Sequence, residues 1–196
     1  MFRKGVIVSL SIIFVFLGVT VRAQERTPNR IMTATLIDRV KFSSWVKRSF
    51  RISPDSKHEA YVAKAGDKMV VVVDGKGEKP CDEILSGTPI FSPNSLIVAY
   101  AARDGNQWFV VADGREGKRY DGIVKGILTF SPNSQHLAYV AKSGNSWFVV
   151  LDGKEGVKYG SDASIVDGSI IIDSSESLHY LFVQDCYVYH AEETID

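Results

Sequence analysis

The feature that most constrains the fold of this chain is an internal repeat with a period of 39 residues. Three landmarks recur in step at that spacing: a tyrosine, an Asp-Gly pair and a Ser-Pro pair. They are Tyr61, Tyr100 and Tyr139, the Asp-Gly pairs that begin at Asp74, Asp113 and Asp152, and the Ser-Pro pairs that begin at Ser53, Ser92 and Ser131. A fixed period of this length indicates stacked copies of one supersecondary unit.

Each copy has the pattern of four short strands separated by turns. In the third copy, strands are predicted over residues 127–130, 136–141 and 147–151, and a fourth, outer strand is predicted to begin at Lys158 and Tyr159. Pro132 stands at the second position of a tight turn, where its fixed φ suits a type I turn. Gly153 tolerates the positive φ that the later turn needs. The third strand is rich in aromatic and β-branched residues, which favour strands.

Four antiparallel strands in about 40 residues are typical of a β-propeller blade. Helical repeats can share this period, but the chain has no apolar pattern at a spacing of about 3.6 residues, and it has a turn signal roughly every 8 to 12 residues. We therefore predict an all-β fold, a β-propeller of about four blades of four antiparallel strands. The copies are placed at about residues 48–87, 88–126, 127–167 and 168–196. An open array of four sheets and a fragment of a longer propeller are the alternatives.

Two segments of the chain resemble a known blade motif. Phe91-Ser92-Pro93-Asn94-Ser95 followed by Ala99-Tyr100, and the matching stretch 130–139, are similar to the Ser-Pro-Asp-Gly motif of TolB-like, WD-type propellers of exported bacterial proteins. The resemblance covers about residues 50–189; it implies the propeller fold and says little about function. The sequence departs from the family at Ser56, Ser95 and Ser134, where the family usually has glycine. TolB carries a further domain before its propeller that we do not expect here, so its partners are not carried over.

The fourth copy is degenerate. Tyr180 follows Tyr139 by 41 residues, and residues 187–189 serve as a third strand, after which no fourth strand is recognised. Residues 24–47 form an N-terminal segment in which residues 32–37 are strand-like. We expect this strand to supply the missing outer strand of the last blade and so close the ring, because an unpaired edge invites aggregation.

Ring closure would place the two cysteines on neighbouring blades. Cys81 stands where Tyr120 and Tyr159 stand in the next two copies, and Cys186 lies in the last copy. A disulfide between them requires Cα atoms within about 7 Å of each other. The sequence leaves both a disulfide and two separate thiols open.

The first 23 residues have the three parts of a secretory signal peptide. Arg3 and Lys4 form a basic start, residues 5–21 an apolar run, and Val21-Arg22-Ala23 a small-residue cleavage site. An uncleaved membrane anchor is the alternative, since about 17 apolar residues are near the lower limit for crossing a bilayer. We expect cleavage after residue 23, a periplasmic or secreted location, and no stable membrane insertion afterwards.

The charge pattern argues against nucleic acid as a partner. Without residues 1–23 the chain carries 20 Lys and Arg and 23 Asp and Glu, a net charge of −3, and the two signs alternate along it. A ligand that is held through its phosphates needs a clustered basic surface, which this pattern does not provide.

The sequence shows no constellation typical of catalysis. His58, His136, His179 and His190 form no motif, and the Gly-x-Ser-x-Gly elbow of α/β-hydrolases is absent. A weak metal site at His179, His190 and Asp185 is conceivable, although surface or packing roles fit the loose spacing better. The Asp-Gly turns are acidic, but a Lys or Arg inside each of them fits a hairpin turn rather than a calcium loop. We therefore assign no catalytic residue, no metal ligand and no cofactor.

The tryptophans divide into packing and binding candidates. Trp108 and Trp147 occupy one position in successive copies, with Met69 in the first, and are expected to fill the gaps between blades. Trp45 is the better candidate for an exposed anchor. The pattern predicts a non-catalytic, exported scaffold for protein interaction or ligand binding, with another envelope or extracellular protein as its partner. A hydrolase or lyase acting at the central channel, and a self-assembling structural repeat, are the alternatives.

Overall fold

The computed structural model describes residues 44–173 and 177–194, together with Ala34 and Leu36. Its regular structure in those ranges consists of 18 strands in four antiparallel sheets, each built from one consecutive part of the chain. The prediction of an all-β fold with about four blade-like sheets is confirmed. The signal-like segment 1–23 lies outside the described residues. So does the strand predicted over residues 32–37, apart from Ala34 and Leu36, neither of which is in a strand; both segments remain predictions.

The four sheets share one plan, in which a long hairpin is flanked by shorter strands. The first sheet contains β1 (Arg51–Ile52), β2 (Glu59–Ala65), β3 (Lys68–Val73) and β4 (Lys76–Gly77). The second contains β5 (Glu83–Ile84), β6 (Ile90–Phe91), β7 (Val98–Asp104), β8 (Gln107–Ala112) and β9 (Arg115–Glu116). The third contains β10 (Gly122–Ile123), β11 (Thr129–Phe130), β12 (Leu137–Ser143), β13 (Ser146–Leu151) and β14 (Lys154–Glu155). The fourth contains β15 (Ala163–Ile165), β16 (Ile171–Ile172), β17 (Ser177–Gln184) and β18 (Tyr187–Thr194).

The first strand of the third sheet differs from its prediction. It consists of two pieces, β10 and β11, which both pair with β12. Only the second half of the strand expected over residues 127–130 is a strand in the structure, namely β11. Ile127 and Leu128 lie buried between the two pieces. Their apolar character reflects packing and not strand pairing. The fourth strand begins at Lys154, before the predicted start, and Tyr159 adds only an isolated bridge to Trp147.

The sheets and the sequence copies have different boundaries. The second, third and fourth sheets begin at residues 83, 122 and 163, each five residues before the copy placed at 88, 127 or 168. The predicted boundaries fall inside the split first strand, because its first piece is only two or three residues long. So short a piece has no pattern of its own that would mark it as a strand.

The Ser-Pro turns connect neighbouring sheets as well as neighbouring strands. Ser56, Ser95 and Ser134 have positive φ values of 61°, 67° and 64°, the conformation that explains why the family usually has glycine there. The hydroxyl of Ser95 accepts a hydrogen bond from the backbone N–H of Asp55 in the first sheet, at 3.0 Å. The hydroxyl of Ser134 likewise accepts one from the N–H of Asn94, at 2.9 Å. The departure from glycine thus supplies an inter-sheet hydrogen bond.

The core lies between successive sheets. One cluster joins Val62 and Val71 of the first sheet to Tyr100 and Phe109 of the second. Matching clusters join the second sheet to the third and the third to the fourth. The second and third sheets therefore bury both faces, which explains the nearly continuous apolar sequences of β7 and β12.

Candidate functional site

The outer edge of the fourth sheet differs from the outer edges of the other three. In the first three sheets the outermost strand is two residues long and begins with a basic residue, namely Lys76, Arg115 or Lys154. Short strands and basic side chains are common protections of a sheet edge. In the fourth sheet the outermost strand is β18, which is eight residues long and contains no Lys, Arg or Pro. Within the described residues, β18 pairs with β17 alone.

The hairpin turn fixes which backbone groups of β18 face outward. Asp185 and Cys186 both have positive φ, 51° and 65°, which is the type I′ pattern of a two-residue hairpin loop. Such a loop closes on a hydrogen-bonded pair, here Gln184 and Tyr187. Pairing then alternates along the ladder, so every second residue of β18 directs its N–H and C=O away from β17. The outward-facing residues are Val188, His190, Glu192 and Thr194.

The face of the fourth sheet that points away from the third sheet carries exposed apolar side chains. Val188 is 66% exposed, Ile171 49% and Leu181 37%. The register places all three on one face, because Ile171 is opposite His179 and Val188 is opposite Val183. The opposite face packs on the third sheet through Leu178 and other buried residues. Among the described residues, an edge without a partner strand and an exposed apolar face therefore adjoin each other.

The histidines of this sheet do not form the metal site considered above. His179 and His190 lie with ring centroids 5.4 Å apart, but Asp185 is in the hairpin loop at the far end of the strands. The acid beside His179 is instead Asp173, at 3.4 Å. In the described part of the chain no three His, Cys, Asp or Glu side chains are grouped so that they could hold a metal ion.

The other two histidines belong to the turns of the repeat. His58 Nδ1 lies 2.7 Å from Asp74 Oδ2, and His136 Nδ1 lies 2.6 Å from Asp152 Oδ2. The hydrogen bond with Asp74 and its charge raise the pKa of His58. The second sheet has Ile97 at this position and makes no such pair. Sequence reasoning missed these pairs, although both have the same 16-residue spacing.

The three tryptophans are all half-buried. Trp108 and Trp147 are half-buried, and Arg103 and Lys142 lie over their rings at 5.8 and 5.2 Å. Trp45 was the candidate for an exposed anchor; it is instead half-buried, with its ring edge-on to Phe50 at 6.3 Å.

Both thiols are free, Cys81 buried and Cys186 exposed, so the structure contains no ring-closing disulfide between them.

Comparison with known proteins yields similarities of structure alone. Neither the family models nor the curated proteins give a match. TolB from Acinetobacter baumannii is 17% identical, with a TM-score of 0.43 over 75% of this chain and 40% of TolB. The β-propeller domain of the Trilobed protease from Pyrococcus furiosus is 12% identical, with a TM-score of 0.46 over 76% of this chain and 56% of that one. A prolyl endopeptidase is 14% identical, with a TM-score of 0.48 over 84% of this chain and 29% of the enzyme.

These similarities concern the fold. The chain spans between about a third and a little over half of the proteins it resembles. Across residues 44–173 and 177–194 there is no helix long and apolar enough to cross a membrane. The four successive antiparallel sheets have the architecture of propeller blades.

Proposed function

We propose that this protein is a non-catalytic scaffold that binds an extended segment of another protein along the outer edge of β18. The observation that carries the proposal is the contrast between this edge and the three short, basic edges of the other sheets. A partner strand added to a sheet edge gains main-chain hydrogen bonds, and contacts with alternate side chains give specificity. The outward-facing groups of β18 and the adjoining apolar face supply both kinds of contact.

The charge distribution along β18 defines the chemistry of the partner. Its first half, at Tyr187, Val188 and Tyr189, is apolar and exposed, whereas its second half contains Glu192 and Glu193. A complementary segment therefore combines apolar residues at one end with Lys or Arg at the other.

The location of the partner follows from the proposed export of the chain. The basic start, apolar run and cleavage site of residues 1–23 support export to the periplasm or beyond. We accordingly place the partner among envelope or extracellular proteins.

Amide hydrogen exchange on the purified full chain tests whether the edge is free. Fast exchange is expected at Val188, His190 and Glu192, whose N–H groups face outward, while Tyr189 and Ala191, bonded to β17, serve as protected controls. Slow exchange that is independent of protein concentration would mean that the chain covers its own edge, as predicted for residues 32–37. Slow exchange that appears only at high concentration would mean self-association. Either result would contradict a free edge for a partner.

Crosslinking capture from the cell envelope tests the partner itself. His190→Pro removes an outward-facing N–H without removing a bond to β17, a position where an edge strand tolerates proline. Val188→Ser removes apolar area from the exposed face. A partner captured by the wild type should be lost with both variants and retained with Leu96→Ser, which alters an apolar residue 76% exposed in a turn of the second sheet. Retention with both edge variants would overturn the proposal.

A further inference from the structure

A cleft opens between the first and second sheets. It has a volume of about 60 Å³ and is open to solvent. Tyr100 and Phe109 contribute to its lining, together with Cys81, and the carboxyl groups of Glu78 and Glu116 belong to the same lining.

The cleft lies at a position where the repeat has a tyrosine ring in the next two copies. Tyr120 is 2% exposed and packs edge-on against Tyr139 and Phe148, with ring centroids 6.2 and 5.7 Å apart. At the third interface Tyr159 packs against Tyr180, and their hydroxyl oxygens are 2.8 Å apart. The first interface, between the first and second sheets, has Cys81 at this position.

The backbone at Cys81 is placed as it is at the two tyrosines. Cys81 bridges to Met69 just as Tyr120 bridges to Trp108 and Tyr159 to Trp147. A ring attached at this position would therefore lie beside Tyr100 and Phe109, the counterparts of Tyr139 and Phe148. The cleft therefore lies where the missing tyrosine ring would be, and the residues that would surround that ring form part of its lining.

The thiol itself does not provide the chemistry of the cleft. Its Sγ lies 3.5 Å from the carbonyl oxygen of Glu83 and is positioned to donate to it. Burial raises the pKa of Cys81 to about 11, so the group is a neutral thiol at physiological pH. The floor of the cleft, which we define as Tyr100 and Phe109, thus offers an aromatic surface and the phenol of Tyr100.

The lining of the cleft contains three carboxyl groups, two of which are paired with cations. Glu78, Asp104 and Glu116 belong to it, and Lys79 is its single cation. Glu116 pairs with Lys79 at 2.6 Å and with Arg119 at 3.2 Å, and the guanidinium of Arg119 lies 4.4 Å from the centre of the Phe109 ring. Asp104 pairs with Lys68 at 3.3 Å. Glu78 has no ion-pair partner within the described ranges. The unpaired carboxyl group of Glu78 therefore favours a ligand with a positive charge.

We propose that this cleft binds a small phenol that carries a positive charge, with its ring in the place of the missing tyrosine side chain and its cationic group beside Glu78. The site is separate from the edge of β18, so it can succeed or fail independently of the proposed function. The cleft is too small to enclose a whole phenol, so the ring enters partway and the cationic group remains in the open mouth.

Titration of the full chain with tyramine, followed by two-dimensional NMR, tests the proposal. Tyramine has few atoms, so a dissociation constant on the order of 1 mM is expected, with shifts centred on residues 78–81 and 100–116. Cys81→Tyr should fill the cleft and weaken binding at least roughly tenfold. The double variant Glu78→Gln, Glu116→Gln, which leaves the floor intact, should weaken tyramine binding more than phenol binding. Tyr120→Cys should create a second site at the next interface.

The opposite results are equally informative. Equal binding of tyramine to the wild type and to a folded Cys81→Tyr variant would overturn the proposal, as would shifts centred elsewhere in the chain. Tighter binding of 4-hydroxyphenylacetate than of tyramine would overturn the assigned charge. Because the charge variant leaves every residue of the floor in place, it tests the site even if Cys81→Tyr fails to fold.

Discussion

The first and second interfaces between sheets have the same backbone arrangement and differ in their side chains, most directly at the position of Cys81 and Tyr120. The second is closed by Tyr120, whereas the first has Cys81 and retains an open cleft. Both are joined by a serine hydroxyl that accepts a hydrogen bond from the preceding sheet. The difference teaches that the repeat gives each interface the same backbone arrangement, while individual side chains decide whether the gap between the sheets is filled.

The largest expected effect is that of opening the closed interface. Tyr120→Cys should lower the free energy of unfolding by about 3 kcal/mol, because a buried ring is removed and a cavity remains. Urea unfolding followed by tryptophan fluorescence measures this. Tyr187→Cys, at a residue 67% exposed, is the matched control and should change stability by less than about 0.5 kcal/mol. Equal effects of the two variants would show that Tyr120 does not close the interface.

The reverse change should close the open interface. Cys81→Tyr is expected to raise the free energy of unfolding by about 1 kcal/mol, since cavity-filling substitutions commonly stabilise by that amount. The same urea experiment measures it, with Cys81→Ala as a variant that adds no ring. A loss of stability with Cys81→Tyr would mean that the cleft is too narrow for a full tyrosine side chain.

The serine links should contribute equally at both interfaces. Ser95→Ala and Ser134→Ala should each cost about 1 kcal/mol, the usual net contribution of an intramolecular hydrogen bond. Ser56 has the same positive φ, and its hydroxyl bonds to no described residue, so Ser56→Ala is the control and should be nearly neutral. A cost at Ser56 equal to that at Ser95 would assign the effect to the turn rather than to the inter-sheet bond.

The smallest expected effect is a pH dependence that arises at the turn of the first sheet. Because Asp74 raises the pKa of His58 in the folded state, this pair stabilises the fold fully below the unfolded pKa of about 6.5. Its contribution is lost as the pH rises through the folded pKa. NMR titration of His58 should show a pKa that falls with Asp74→Asn and is unchanged with Asp113→Asn, beside Ile97 of the second sheet. A value that Asp74→Asn leaves unchanged would contradict this assignment.

The parts of the fold that recur along the chain could be predicted from sequence. The turns at Ser53, Ser92 and Ser131 and the hairpins between them were located correctly, because glycine, proline and alternating apolar residues report on local backbone geometry. The first piece of each split strand was missed, since two or three residues give no periodic signal. The half-buried position of Trp45 also depended on packing.

The candidate binding surfaces could be predicted only in part from the sequence. The pattern identified Tyr187, Val188 and Tyr189 as a strand and Cys81 as the replacement for a tyrosine. It assigned Cys81 to a conceivable disulfide, because sequence comparison shows that a ring is absent but not that a cavity remains. The direction of the outward N–H groups of β18 followed only from the type I′ turn at Asp185 and Cys186.

The sequence by itself determined the number of copies, the positions of their turns and the all-β class, since these depend on residue spacing and local conformational preference. The tertiary structure decided which edge has no partner strand among the described residues and which interface has a cleft. The physical reason is that both features depend on what lies opposite a residue in space. An unpaired strand or an empty volume becomes visible only when the neighbouring sheets are in place.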